Sequence, residues 1–285
     1  MFTQNASGLF GANSPTITSS ENVQTYLANA LYHFTQNTTG YLRYATGYRP
    51  GGPSIVEKDP VTGLPMGPTS FAPDHLASYE MGLKAETPDR HFGADLSGYY
   101  IDWARIQLST TTADGFGTFT NASGPAHIQG SELTLTARPI NDLTLLGAFA
   151  YQHAYMTEPD ADLHSMAGER LPNVPRFTTA LNGDYLLGGG LSPTVGMTLR
   201  YVSNRRASFD LDPHFAQYYL PAYTSVDLRG GLVLGEENGH PVNVQLYIHN
   251  VLDERGQLAA QTQFGKAQVA IMQPRTIGLS AFAHF

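Results

Sequence analysis

The chain has 285 residues, 41% of them hydrophobic but only 14% charged, against about a quarter charged in an average soluble domain. With a formal net charge of −8 and no basic cluster it lacks the electrostatic footprint of a nucleic-acid-binding protein, and with no cysteine it has neither a disulfide frame nor a thiolate metal site. Mean hydropathy is −0.22, and no apolar run reaches about 18 residues, which excludes a membrane-spanning helix.

Residues 1–22 are rich in Ser, Thr, Asn and Gly and read as loop or a broken strand. They show no basic region followed by an apolar core, so a signal peptide is either already removed or lies beyond the chain's start. From residue 23 onward the pattern is period-two alternation, the mark of strands with two unlike faces. Strands are predicted over about 23–34, 39–48, 76–87, 91–108, 126–138, 143–153, 175–186, 191–203, 222–234, 242–249 and 276–285. In the first, Tyr26, Ala28, Ala30, Tyr32 and Phe34 share a face; in the second, Leu42 and Tyr44 oppose Arg43. Further on, Tyr79, Met81 and Leu83 oppose Glu80 and Lys84, and Leu133 and Leu135 oppose Glu132 and Thr134. Val242, Val244, Leu246 and Ile248 oppose Asn243, Gln245, Tyr247 and His249. The last strand sets Ile277, Leu279, Ala281, Ala283 and Phe285 against Thr276, Gly278, Ser280, Phe282 and His284.

The connections alternate without a break between short turns and long loops. All-antiparallel strands then put every long loop at one end, the habit of a transmembrane barrel. The fold class expected is therefore all-β, an antiparallel transmembrane β-barrel with about 11 strands in this chain. The alternative on pattern alone is a half-buried soluble sandwich. Against it stand the polar opposite faces and the aromatics near strand ends: Tyr32, Phe34, Tyr44, Tyr48, Tyr100, Trp103, Tyr151, Tyr185, Tyr201 and Phe285. These suit an interfacial girdle.

Several segments resemble one family. Tyr44-Ala45-Thr46-Gly47-Tyr48-Arg49-Pro50 is similar to a strand running into an external loop of the TonB-dependent receptors of bacterial outer membranes. Tyr79-Glu80-Met81-Gly82-Leu83-Lys84, with Gly98-Tyr99-Tyr100-Ile101-Asp102-Trp103 and Ile106-Gln107, resembles a hairpin of theirs, and Asn121-Ala122-Ser123-Gly124-Pro125-Ala126 the strand that follows. Leu171-Pro172-Asn173, Leu220-Pro221-Ala222-Tyr223, His249-Asn250-Val251-Leu252-Asp253 and Pro274-Arg275-Thr276-Ile277-Gly278 fall in the same order. The resemblance implies a barrel of about 22 strands filled by an N-terminal plug. This chain then corresponds to the C-terminal part, 23–285, with the plug absent. It further implies uptake of a ferric siderophore or similar scarce nutrient across the Gram-negative outer membrane, with a periplasmic C-terminus. The implied partners are outer-membrane lipid, a small-molecule ligand, the TonB energy-transducing complex through the missing plug, and the barrel-assembly machinery through the terminal strand. Competing readings are a stand-alone porin-like barrel of about 12 strands, completed by residues 1–22, and an outer-membrane enzyme.

Candidate site residues are few. Arg205, Arg206, Tyr218 and Tyr219 share a long loop and are candidates to grip an anionic ferric chelate; the alternative is a solvated loop tip. Glu158, Asp160, Asp162 and His164 offer oxygen and imidazole ligands for a divalent cation, or an ordinary acidic loop. Arg43, Arg138 and Arg200 fall on polar faces, to line a path or to pair with Glu80, Glu132 or Asp95. No H-E-x-x-H or G-x-S-x-G pattern occurs, and neither a cofactor nor an enzymatic activity is expected.

Overall fold

A computed structural model describes residues 2–4, 17–19, 22–54, 59, 61–65, 67–111, 117–189, 191–211, 218–235, 241–263 and 266–283. Period-two alternation resolves into one antiparallel sheet of eleven strands, each paired with its sequence neighbours. They are β1 (Leu27–Thr35), β2 (Thr38–Arg49), β3 (Asp74–Glu86), β4 (Phe92–Ala104), β5 (Ala126–Ile140), β6 (Leu143–Met156), β7 (Phe177–Leu186), β8 (Thr194–Val202), β9 (Tyr223–Leu234), β10 (Val242–His249) and β11 (Thr276–Ala283).

Register carries the alternation across the whole sheet. Ala30 pairs with Leu42 and Leu42 with Met81; Leu83 pairs with Leu96, Leu96 with Leu133 and Leu133 with Phe149. At the other end Leu228 pairs with Ile248 and Ile248 with Ile277, while Leu279, Ala281 and Ala283 pair with Leu246, Val244 and Val242. Cross-strand partners point the same way, so these residues form one apolar face, and slipping any strand by one residue would turn it inside out. Nothing among the described residues covers that face: Leu42 is 60% exposed, Met81 64% and Leu279 69%. An apolar surface of this extent is stable only against an apolar solvent. The last strand thus keeps its predicted face from Ile277 to Ala283; Phe285 lies outside the described residues.

Two rims bound the sheet. At one, short turns span 36–37, 87–91, 141–142, 187–193 and 235–241; at the other lie the connections 50–73, 105–125, 157–176, 203–222 and 250–275. On the apolar face near the long-loop rim, Tyr44, Tyr79, Tyr100, Gln129 and His153 sit in register across five strands. Rings meet there: Tyr44 and Tyr79 lie 5.2 Å apart, Tyr100 and His127 5.2 Å, and His153 and Tyr155 4.7 Å. This is an aromatic belt, with Tyr32, Phe34 and Tyr185 toward the opposite rim.

Several expectations are corrected. Trp103 does not belong to the belt: it is three residues from Tyr100, so in a period-two strand it points to the other face, paired with Leu76 and Ala126. Strand four stops at Ala104 rather than near 108, because Arg105 turns the chain with φ of 53°. The long loops also carry structure of their own. Hairpins form from Gln107–Thr111 with Gly117–Asn121, and from Gln257–Gln263 with Lys266–Ile271. Phe2–Gln4 pairs with Ile17–Ser19 apart from the large sheet, so among the described residues the first 22 supply no twelfth strand.

The buried apolar core lies at the long-loop rim. Ile106, Ala122, Leu163, Leu171 and Phe209, from three successive loops, pack with Ala126, Ala154 and Met156 at the ends of β5 and β6. Ala126 and Met156 are fully buried. These three loops form a joint, packed cap rather than independent excursions.

Candidate ligand-binding wall and loop rim

The face opposite the apolar one is polar and organised in two charge ladders. On β2–β4 the Tyr41 hydroxyl donates to Glu80 Oε1 at 2.6 Å, with Arg43 Nη1 3.8 Å from Oε2. Lys84 pairs with Asp95 and lies 5.6 Å above the Tyr41 ring. On β7–β10, Arg229 pairs with Asp184 and donates to Thr198 Oγ1 and Asn182 Oδ1, both at 3.1 Å. Arg200 Nη1 donates to Asp227 Oδ2 at 2.7 Å, and His249 Nδ1 is 3.6 Å from the same oxygen. Arg43 and Arg200 therefore lie on the polar face, Arg43 with the expected Glu80 and Arg200 with an unexpected Asp227. Arg138 is exposed and has no ion pair among the described contacts. Side-chain pairs this exposed each contribute at most about 1 kcal/mol; their effect is to fix the direction of charge along the wall.

Glycines keep that wall flat. Tyr41 lies over its cross-strand partner Gly82, Tyr99 over Gly130, Arg229 over Gly196 and Tyr247 over Gly278. A Cβ at Gly82 would meet the Tyr41 ring directly. Tyr41 can lie flat and reach Glu80 only because that space is empty.

Polar knots tie the long-loop rim together. Asp74, fully buried at the start of β3, pairs with Arg49, accepts from the Arg49 Nε at 2.8 Å and accepts from the Gln107 backbone N–H at 3.0 Å. Arg49 stacks 4.7 Å from the Trp103 ring. The Gln107 side chain donates to the Ala72 carbonyl at 3.0 Å, and Asn121 bonds both the N–H and the carbonyl of Ala72. A second knot runs from Asp227 to the Asn250 N–H at 2.9 Å, from the Asn250 amide to the carbonyls of Glu254 and Gln273, and from Asp253 to the Arg275 N–H at 3.0 Å. The sequence marked Gln107, Asn121, Asn250 and Arg275 only as parts of motifs. The signal for Gln107 is the buried acid Asp74 at a strand start; Asn121 answers to the Ala72 backbone, and Asn250 and Arg275 to Asp227 and Asp253.

The predicted acidic quartet does not converge. Asp160 is buried and is spent on a turn, accepting from the N–H and hydroxyl of Ser123 at 2.6 and 2.8 Å and from the N–H groups of Asp162 and Leu163 at 3.0 Å. Burial pushes its carboxyl up, but these donors outweigh burial and hold it below the usual carboxylate range. Glu158 packs beside Gly124, and His164 sits at φ 54°. Among the described residues no group of three His, Asp or Glu side chains could hold a metal ion.

The predicted ligand-gripping residues do come together. Arg205–Arg206 pairs with Tyr219–Leu220 in a short hairpin. Arg205 is only 5% exposed, which departs from a solvated tip; its Nη2 donates to the carbonyls of Gln257 and Leu258, and its Nη1 is buried without a partner. Tyr218 donates to Gln257 Oε1 at 3.0 Å. Arg206 pairs with Asp210 and lies 5.3 Å from the Tyr219 ring; burial opposes its charge, but the Asp210 carboxylate outweighs burial and raises it above the ordinary arginine range.

One apolar face without cover, one polar face, an aromatic belt and a rim of long loops define the wall of a membrane β-barrel. The chain belongs to the TonB-dependent receptor-like β-barrel family, whose model matches residues 2–251. Among known proteins it is similar to the metal-pseudopaline receptor CntO of Pseudomonas aeruginosa, 26% identical over 252 residues, covering 88% of this chain and 32% of that protein. It is likewise similar to the catecholate siderophore receptor Fiu of Escherichia coli, 24% identical, covering 93% of this chain and 33% of that protein. The fold matches the ferric yersiniabactin uptake receptor FyuA of Yersinia pestis with a TM-score of 0.72 at 22% identity, over 91% of this chain and 37% of that one. The chain thus spans about a third of the relatives it matches. Its eleven strands are part of a barrel wall of the kind these outer-membrane receptors carry, with the apolar face to lipid and the polar face to the lumen.

Proposed function

We propose that this chain is part of an outer-membrane receptor that takes up a ferric siderophore or a similar metal chelate by TonB-coupled transport, with residues 23–285 in the barrel. The polar wall carries the reading most directly: two fixed charge ladders line one face beneath a packed loop rim, a surface suited to an anionic or chelated solute. The long-loop rim faces outside and the C-terminus the periplasm. The apolar closing strand, Ile277 to Ala283, engages the barrel-assembly machinery, and a plug in the same receptor connects to TonB. The names of CntO, Fiu and FyuA support a metal-chelate substrate class.

The test is whole-cell uptake of radiolabelled iron and zinc, offered as catecholate, phenolate and aminocarboxylate chelates, in strains with and without the gene and in a strain lacking TonB. At least one chelate should depend on both the gene and TonB. Uptake of every chelate that is indifferent to the gene, or gene-dependent uptake that persists without TonB, would overturn the reading.

A further inference from the structure

The lipid face is not smooth. Ala30, Leu42, Met81 and Gly98 are successive cross-strand partners on β1 to β4, so they form one row across that face. Two adjoining hollows of about 740 and 640 Å³ share this row. One continues toward the short turns, to Tyr32 and Phe34; the other rises to Tyr44, Tyr79 and Tyr100 in the aromatic belt. Together they make one apolar trough along the strands, from Ala28 to Phe34 on β1, about 20 Å at about 3.4 Å per residue. Small residues, Ala28, Ala30, Gly40 and Gly98, leave the space. A Cβ at Gly98 would meet only the Gly130 carbonyl oxygen, at 3.9 Å, an ordinary contact, so the sheet itself does not require glycine there.

The belt end of the trough carries a single acid. Asp102 lies two residues beyond Tyr100 on the same face, about 7 Å on, with Ala77 and His127 as its cross-strand partners. Its side chain is 49% exposed, yet Oδ1 is enclosed and makes no hydrogen bond; His127 Nε2, at 3.7 Å, is too far for one. Arg43, Arg49 and Lys84, which are all the Lys and Arg of β1 to β4, pair with Glu80, Asp74 and Asp95 on the polar side of the wall. No fixed cation of these strands answers Asp102.

An apolar trough that ends at tyrosine rings and a carboxylate is complementary to one kind of amphiphile, an acyl chain that carries an ammonium. Phenol faces attract a cation, and a primary ammonium donates charge-assisted hydrogen bonds to a carboxylate. An anionic headgroup would be repelled. We propose that the trough on β1 to β4 seats an acyl chain of a phosphatidylethanolamine-type lipid, with its ammonium on Asp102 above Tyr79 and Tyr100. The site needs only the lipid-facing wall, so it stands or falls apart from the transported nutrient.

The test uses the protein purified from its native outer membrane in dodecyl maltoside, delipidated, and titrated by native mass spectrometry. EDTA is present, so that no divalent ion bridges Asp102 to an acidic lipid. The probes are dioleoylphosphatidylethanolamine, dioleoylphosphatidylcholine and dioleoylphosphatidylglycerol. The ethanolamine lipid should bind about tenfold more tightly than either of the others. Asp102→Asn changes a half-exposed side chain and should abolish that preference by lowering affinity for the ethanolamine lipid. Gly98→Leu puts a side chain into the trough and should weaken all three lipids alike, by about fivefold. Asp142→Asn, in a short turn at the opposite rim, should leave every affinity unchanged. Equal binding of the three lipids by the parent, or a preference that survives Asp102→Asn, overturns the headgroup assignment. An equal loss in Asp142→Asn does the same, because it reduces the effect to net charge. Undiminished lipid binding by Gly98→Leu overturns the trough.

Discussion

Asp74 has more consequence than any side chain that the charge pattern singles out. It is fully buried, while its partner Arg49 keeps nearly half of its side chain exposed, so removing the carboxylate strands the Gln107 N–H and the inner edge of the guanidinium. Asp74→Ala should destabilise the protein by about 3 kcal/mol, read as a lower urea midpoint for unfolding from lipid vesicles. An unchanged midpoint would show that the knot is ornamental. Asp160 makes a pH-dependent counterpart. Its folded carboxyl titrates below its unfolded value of about 3.9. Its contribution is therefore complete above that value and disappears as pH falls through the lower, folded one. Protease cleavage within 157–171 should stay flat from pH 7 to 5 and rise below about pH 4 with an acid-stable protease; Asp160→Asn should abolish the rise. A rise of equal size in the variant would assign it to other carboxylates.

At the scale of elements, the strands were legible and their connections were not. Each strand faces lipid on one side and water on the other, so every second residue records its solvent, and β10 can be read directly from Val242 to His249. The loops obey no such rule. Gln257–Gln263 has no useful alternation, and its hairpin docks through Arg205, more than fifty residues earlier in sequence. Trp103 sits near a strand end, where aromatic composition points to the belt, but period two puts it on the face opposite Tyr100. The site followed the same division. Arg205, Arg206, Tyr218 and Tyr219 could be grouped from proximity in sequence, but the burial of Arg205 depends on a partner that local pattern cannot name. Two substitutions probe the elements. Met156→Ala opens a cavity beneath three loops and should cost about 2–4 kcal/mol, seen as faster amide exchange in 105–125 and 157–176 together. Exchange that rises in only one of these loops would show that they do not share a core. Gly82→Val should displace Tyr41 from Glu80 and push its ring into the lumen, visible as a changed near-ultraviolet tyrosine signal; an unaltered spectrum would mean that the wall yields elsewhere.

At the scale of the whole molecule, the two faces predict opposite tolerances. Leu279→Arg places a cation against hydrocarbon and should destabilise by about 2–4 kcal/mol if it lies near the bilayer midplane. Ser280→Arg, one residue on and facing the lumen, should change stability by less than about 1 kcal/mol. Comparable losses from both would contradict the assignment of the faces. The shared core beneath the loops has a further consequence, for inheritance. Segments 105–125, 157–176 and 203–222 each give residues to one packed interior, so none can lengthen or exchange its apolar residues without unsettling the others. Variation in this protein should be tolerated where the cap is polar and outward, or else come by replacement of the three segments as a block. Shuffling one loop at a time between relatives should yield mostly misassembled hybrids.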